Sequence, residues 1–274
     1  MRQKETFQIQ CKQTKAKQLL MIVSLILITG FTFGQSTDDR YGKPTDYLSE
    51  IKMQDITYLW ATENTSIYDN TPYTTKVLGF IGNDYQRFYI HFISTIQNPT
   101  NHLEYFVYGK TRVKENICSF QGLITITEAK TFLVEDNPKQ KQGFVKGKYE
   151  FYEDPNQKSS GILKGTFQTD FYFDSIRGLQ YGVIIWGDGY FNNAFVGTWS
   201  DYKSGVTKIC NWGYEGIPES GSLVSTSATW FLPDDKFAKF GWDNYIKAYR
   251  IEEETPANIE FRKKENEKWW LDKK

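Results

Sequence analysis

Few residues in this chain have the type and spacing that chemistry requires. There are two histidines, His91 and His102. They stand eleven positions apart without a clustered Cys, Asp or Glu partner, a spacing that fits no tetrahedral metal site. Both read as surface histidines, so no metal ligand and no cofactor is expected. A serine nucleophile on a Gly-x-Ser-x-Gly elbow is absent from the sequence. Gly187-Asp188-Gly189 falls between two strand-like runs, where a hairpin turn accounts for it and a phosphate loop does not. The remaining enzymatic option is a pair of acids. Glycoside hydrolysis needs two carboxylates ~5–10 Å apart on one wall of a cleft, and Glu150 and Asp170 lie on the same face of consecutive strands. That face also carries Lys146, Lys148, Lys164 and Thr166, the pattern of a charged outer wall. No catalytic residue is assigned, and the expected protein is not an enzyme.

Cysteines and tryptophans offer the other chemistry. Cys118 and Cys210 both fall in strand-like runs and could form a disulfide or two buried thiols, with nothing in the sequence to choose between them. Trp186, Trp199, Trp212, Trp230 and Trp242 crowd the C-terminal half. Exposed rings could stack on sugar faces, and enclosed rings could line an apolar pocket or pack the core.

The elements that must position these residues centre on Val145–Trp212. In Val145–Glu153 the residues Val145, Gly147, Tyr149 and Phe151 alternate with Lys146, Lys148, Glu150 and Tyr152, a period of two. Gly161–Phe173 repeats it with Leu163, Gly165, Phe167, Phe171 and Phe173 on one face. Leu179–Trp186, Asn193–Ser200 and Thr207–Trp212 complete five consecutive strands. Gly147, Gly165, Gly182 and Gly197 lie inside them, and three begin a Gly-x-aromatic triplet. Mid-strand glycines let a sheet coil sharply, and a ring on a neighbouring strand can cover the bare backbone. The prediction is an all-β, antiparallel up-and-down meander closed or nearly closed into a barrel, with a β-sandwich as the alternative.

Upstream, Ile56–Trp60 reads as the first strand after a helical turn in Asp46–Met53. Lys76–Ile81, Gln86–Ile96, Leu103–Val113 and Ile117–Leu133 follow. In Gln86–Ile96 the alternation puts Phe88, Ile90, Phe92 and Ile96 opposite Arg87, Tyr89, His91 and Thr95. Downstream, Ser222–Leu232 reads as a strand and Asp243–Ile251 as a last strand or short helix. Residues 252–274 form a charge-rich tail in which Pro256 can open a short helix that docks Trp269 and Trp270 on the barrel.

Residues 1–35 carry Lys12, Lys15 and Lys17 before the apolar run Leu19–Phe33, the pattern of a secretory signal peptide. The run falls short of the ~20 residues that span a bilayer, so no membrane span is expected after cleavage, and export to the periplasm or medium is. Residues 36–251 then form one β domain. The whole chain balances 33 basic against 33 acidic residues. Its leader is basic, so the remainder is mildly acidic and has no feature that would recruit nucleic acid.

Gly197-Thr198-Trp199 is similar to the Gly-x-Trp motif of lipocalins, and the meander resembles the calycin barrel of that family. In lipocalins the motif opens the first barrel strand, whereas here about eight strands precede it. The resemblance implies a barrel interior that holds a small apolar ligand. Tyr149, Phe151, Phe167, Phe171, Tyr181 and Trp199 are the residues that would line such an interior. The chain as a whole resembles exported β-proteins of gram-negative bacteria. A glycan-binding or glycan-acting envelope protein, and a structural protein with no small ligand, are the alternative functions.

Overall fold

The computed structural model describes residues 44–65, 71–134, 137–174, 176–182, 192–224 and 230–271. The expected signal peptide, together with Trp186 and the Gly187–Gly189 turn, lies outside them.

The strands, in chain order, are β1 (Thr45–Asp46), β2 (Glu63–Thr65), β3 (Pro72–Thr74), β4 (Val77–Ile81), β5 (Gln86–Gln97), β6 (Glu104–Val113), β7 (Asn116–Val134), β8 (Asn137–Glu153), β9 (Gly161–Asp174), β10 (Gly178–Tyr181), β11 (Asn192–Asp201) and β12 (Thr207–Tyr214). Antiparallel pairing runs β4–β5–β6–β7–β8–β9–β11–β12 and returns to β4, where Cys210 to Tyr214 pair with Ile81 to Val77. Eight strands therefore close a ring, which is the predicted up-and-down barrel and not a sandwich. β10 pairs only with the far end of β9, and β1 only with the far end of β7.

The interior glycines explain how so short a circuit closes. Gly165 and Gly197 are register partners on β9 and β11. A Cβ on Gly165 would lie 2.0 Å from the Val196 carbonyl oxygen, and one on Gly197 would lie 2.4 Å from the Tyr149 hydroxyl. The Tyr149 ring thus fills the space that two missing side chains leave, and Phe167 does the same over Gly147.

Inward residues fill the lumen. Phe88, Tyr149, Phe151, Phe167, Phe195 and Trp212 are at most 2% exposed. Trp212 stacks on Phe195 at 4.8 Å and meets Tyr149 edge-on at 4.9 Å, while Phe120 stacks on Phe151 at 4.9 Å. One barrel end is plugged by a helical turn, α1 (Leu48–Ile51), and by a 3-10 turn, Thr57–Trp60. This corrects the expected strand over Ile56–Trp60. Asp55 Oδ1 accepts the Thr57 amide at 3.0 Å and starts a turn, and Ile56, Leu59 and Trp60 then share one buried face at helical spacing. Trp60 donates to Thr169 Oγ1 at 3.1 Å, and Asn193 Nδ2 donates to the Leu59 carbonyl at 2.8 Å.

Two further expectations change. A bulge between Phe92 and Ser94 inserts one residue into β5. Ile96 consequently turns outward and is 60% exposed, off the face it was expected to share with Phe88. Of the expected strand Ser222–Leu232, residues 225–229 lie outside the described residues, and the rest shows a 3-10 turn, Gly221–Leu223, and a bridge from Val224 to Pro233. Asp243–Tyr249 resolves to a helix, α2, and Ile259–Glu265 to another, α3. Together with the 3-10 turn Asp235–Phe240, the C-terminal segment builds a second core outside the barrel. Leu78 and Phe80 on the outer face of β4 pack there with Ile217, Phe237, Trp242 and Ile246. β4 is thereby apolar on both faces.

Candidate functional site

The residues expected to line a ligand-holding lumen divide. Tyr149, Phe151, Phe167 and Phe171 face inward, and their rings pack against one another and against Phe195, Trp212 and Tyr47. Tyr181 and Trp199 are half-buried at the rim. Trp199 donates from Nε1 to Glu153 Oε2 at 2.9 Å, and Glu153 also accepts from the Gly161 amide at 2.8 Å and from Thr111 Oγ1. Burial pushes the Glu153 carboxyl up and the three donors pull it down, a balance that suits a strut tying β6, β8, β9 and β11 at the end away from the plug.

Cys118 and Cys210 are both buried free thiols. Burial raises Cys118 to about 11 and Cys210 well above the ordinary thiol value, so neither is a nucleophile near neutral pH. Glu150 and Asp170 are not neighbours. Glu150 pairs with Lys164 while Asp170 pairs with Phe144, six rungs along the same ladder and ~20 Å away. Glu150, Lys148 and Lys164 stand exposed on the outer wall. Among the described residues no group of three or more His, Cys, Asp or Glu could hold a metal ion, and no helix is long and apolar enough to cross a membrane.

A cleft of 440 Å³ opens on the outside of the barrel, between β4 and β5 on one side and α2, α3 and residues 266–270 on the other. Its floor is the outer face of β5, where Arg87, Tyr89 and His91 follow one another at a period of two. Its roof carries Tyr245, Tyr249, Arg262, Glu265, Trp269 and Trp270, and Lys76 and Glu63 stand at the edge.

Arg87 organises the floor. Its side chain is 3% exposed and its Nη2 meets Glu265 Oε2, itself 6% exposed, at 3.4 Å. The guanidinium lies 4.1 Å from the Trp242 ring centre, 4.7 Å from Tyr89 and 5.0 Å from Tyr245. Each such ring contributes ~0.5–2 kcal/mol to holding a cation. Nε and Nη1 nevertheless have no hydrogen-bond partner, and a buried N–H left without one costs ~1–3 kcal/mol. Arg112, the register partner of Tyr89 on β6, lies 4.0 Å from the centre of the same ring and leaves its own Nε unpartnered.

The tail closes over this floor with the two tryptophans expected to dock there. Trp270 stacks on His91 at 3.7 Å and Trp269 sits edge-on to Tyr89 at 6.0 Å. Arg262 holds the tail to α2 by donating to the carbonyls of Ala248, Ile251, Glu252 and Glu253. Lys268 reaches Glu63 at 3.1 Å. The sequence places Arg87, Tyr89 and His91 on one face and marks Trp269 and Trp270 for docking on the barrel, but does not join the two. His91, read as a surface histidine, is covered, while His102 stays exposed and lies 3.2 Å from the Lys52 carbonyl through Nδ1.

Burial under Trp270 lowers His91 from 6.5 to about 4, with Glu63 opposing the shift and Lys268 adding to it. A histidine with a depressed folded value stabilises the fold in its neutral form. That contribution is intact above the unfolded value and is lost as the pH falls from 6.5 toward 4. Protection factors in residues 259–271, taken relative to the intrinsic exchange rate at each pH, are therefore expected to fall between pH 6.5 and 4.5. His91→Phe should flatten that response.

Comparison of the chain with protein-family models, with curated proteins and with solved structures finds no match.

Proposed function

We propose that this is an exported, non-enzymatic binding protein whose ligand is a small saccharide seated in the cleft under the C-terminal tail. One observation carries the reading. Aromatic side chains fill the lumen, whereas the external cleft offers 440 Å³ lined by both ring faces and polar groups. A pyranose has C–H patches that stack on rings and a hydroxyl edge that needs charged and amide partners. Tyr249, Trp269 and Trp270 supply the rings, and Lys76, Arg262, Asn266 and Glu267 supply the polar edge. A purely apolar ligand would make no use of that polar edge.

Trp269 and Trp270 stand at 89° to each other. Rings at right angles wrap one or two sugar units; a long polymer needs coplanar platforms. Glu265 and Glu63 are engaged with Arg87 and Lys268, which suits recognition better than proton transfer. Export rests on the basic, apolar leader of residues 1–35.

Calorimetric titration of the full chain with a panel of mono- and disaccharides tests the reading. Binding by at least one of them is expected. Trp269→Ala should weaken that binding by roughly two- to tenfold, the worth of one ring contact. An unchanged affinity in Trp269→Ala, or binding only of apolar ligands, would place the site elsewhere.

A further inference from the structure

We infer that the saccharide is acidic, a uronate whose carboxylate binds Arg87 in the place now held by Glu265. The inference rests on the saccharide reading above and adds the charge.

A guanidinium presents five N–H donors in a planar fork, and a carboxylate matches two of them side by side. Arg87 uses one, at the long distance of 3.4 Å, and leaves Nε and Nη1 without partners while only 3% exposed. Glu265 cannot improve on this, because its other oxygen accepts from Asn244 Nδ2 at 2.8 Å. The carboxylate is held on α3 and shared between two donors. A ligand carboxylate has no such tether and can meet the fork with both oxygens.

The other cations around the cleft are already served. Lys76 pairs with Glu215, Lys268 with Glu63, and Arg262 spends its donors on main-chain carbonyls. The positive charge still short of partners lies with Arg87 and, beside the same Tyr89 ring, with Arg112. A sugar ring stacked on Trp269 would bring an attached carboxylate to this pair.

Glu265 itself shows which chemistry the floor accepts, since it is a carboxylate followed four residues later by an aromatic ring, Trp269, on the same wall. Glu265 is the last residue of α3, and a rotation of its side chain alone would free this place. Glu265 is then a built-in competitor, and weakening it should help the ligand.

The test is calorimetric titration of the full chain at low ionic strength with D-glucuronate and D-galacturonate, beside D-glucose and D-galactose. At least one uronate is expected to bind roughly tenfold more tightly than its neutral counterpart. Glu265→Gln should tighten uronate binding severalfold relative to that of the neutral sugars, and Arg87→Lys should remove the preference. Should Arg87→Lys fail to fold, the Glu265→Gln arm decides alone. Equal affinity for acidic and neutral sugars, or weaker uronate binding in Glu265→Gln, would overturn the inference and leave the saccharide reading standing. Binding of none of the four would overturn both.

Discussion

Gly165→Val is expected to abolish folding, whereas Lys164→Val, one residue away on the exposed wall, should fold normally. At Gly165 an added Cβ meets the Val196 carbonyl oxygen at 2.0 Å, the Gly197 Cα at 2.7 Å and the Tyr149 hydroxyl at 2.9 Å. The first two are backbone of the facing strand and cannot rotate away. β9 and β11 must separate, and the rungs from Ala194–Gln168 to Asp201–Gly161 that close this side of the barrel go with them. Ordinary overpacking costs ~1–3 kcal/mol because side chains give way. Here the ladder itself is the obstacle, so a loss well above about 4 kcal/mol is expected, comparable with the ~5–15 kcal/mol that holds a typical domain folded. Denaturant midpoints followed by far-UV circular dichroism for both variants check this. Equal tolerance would refute the view that bare backbone lets the sheet coil.

Trp212→Ala carries the second large effect. Trp212 is 1% exposed and contacts Phe88, Tyr149, Phe151 and Phe195, so its ring is the hub of the lumen. Truncating a buried aromatic removes transfer free energy and leaves a cavity, ~3–5 kcal/mol together. An apolar cavity of that kind stays dry and accepts an apolar guest. The variant should therefore melt lower than the parent and regain part of the loss on adding indole, while the parent shows no shift. An indole-induced shift in the parent would mean that the lumen is open.

What could be read from the sequence depended on range. Alternation in Val145–Glu153 and Gly161–Phe173 depends only on the local period of two, and the barrel bears it out. The Gly-x-aromatic triplets foretold the ring cover over Gly147 and Gly165, because both partners lie on the adjacent strands β8 and β9; Tyr149 reaches Gly197 from one strand farther off. The bulge at Phe92–Ser94 left no trace in a residue pattern that fits an unbroken strand, so Ile96 was put on the wrong face. The apolar run Ile56–Trp60 suited a strand as well as a plug. Only the lumen it fills and the Asp55 turn select the second. Glu150 and Asp170 share a face but not a rung, and register is a property of the pair of strands. The candidate site was the least legible feature, because Arg87 and Glu265 are 178 residues apart. Charge and ring content mark the tail as unusual, but only the folded chain brings it against β5.

Amide hydrogen exchange of the full chain, with and without saturating D-glucuronate, tests the central claim that the ligand seat lies outside the barrel. Slower exchange confined to Arg87–His91 and to residues 259–271 is predicted, with Val145–Phe173 unchanged. Protection gained along Val145–Phe173 instead, or no change anywhere in the chain, would contradict it.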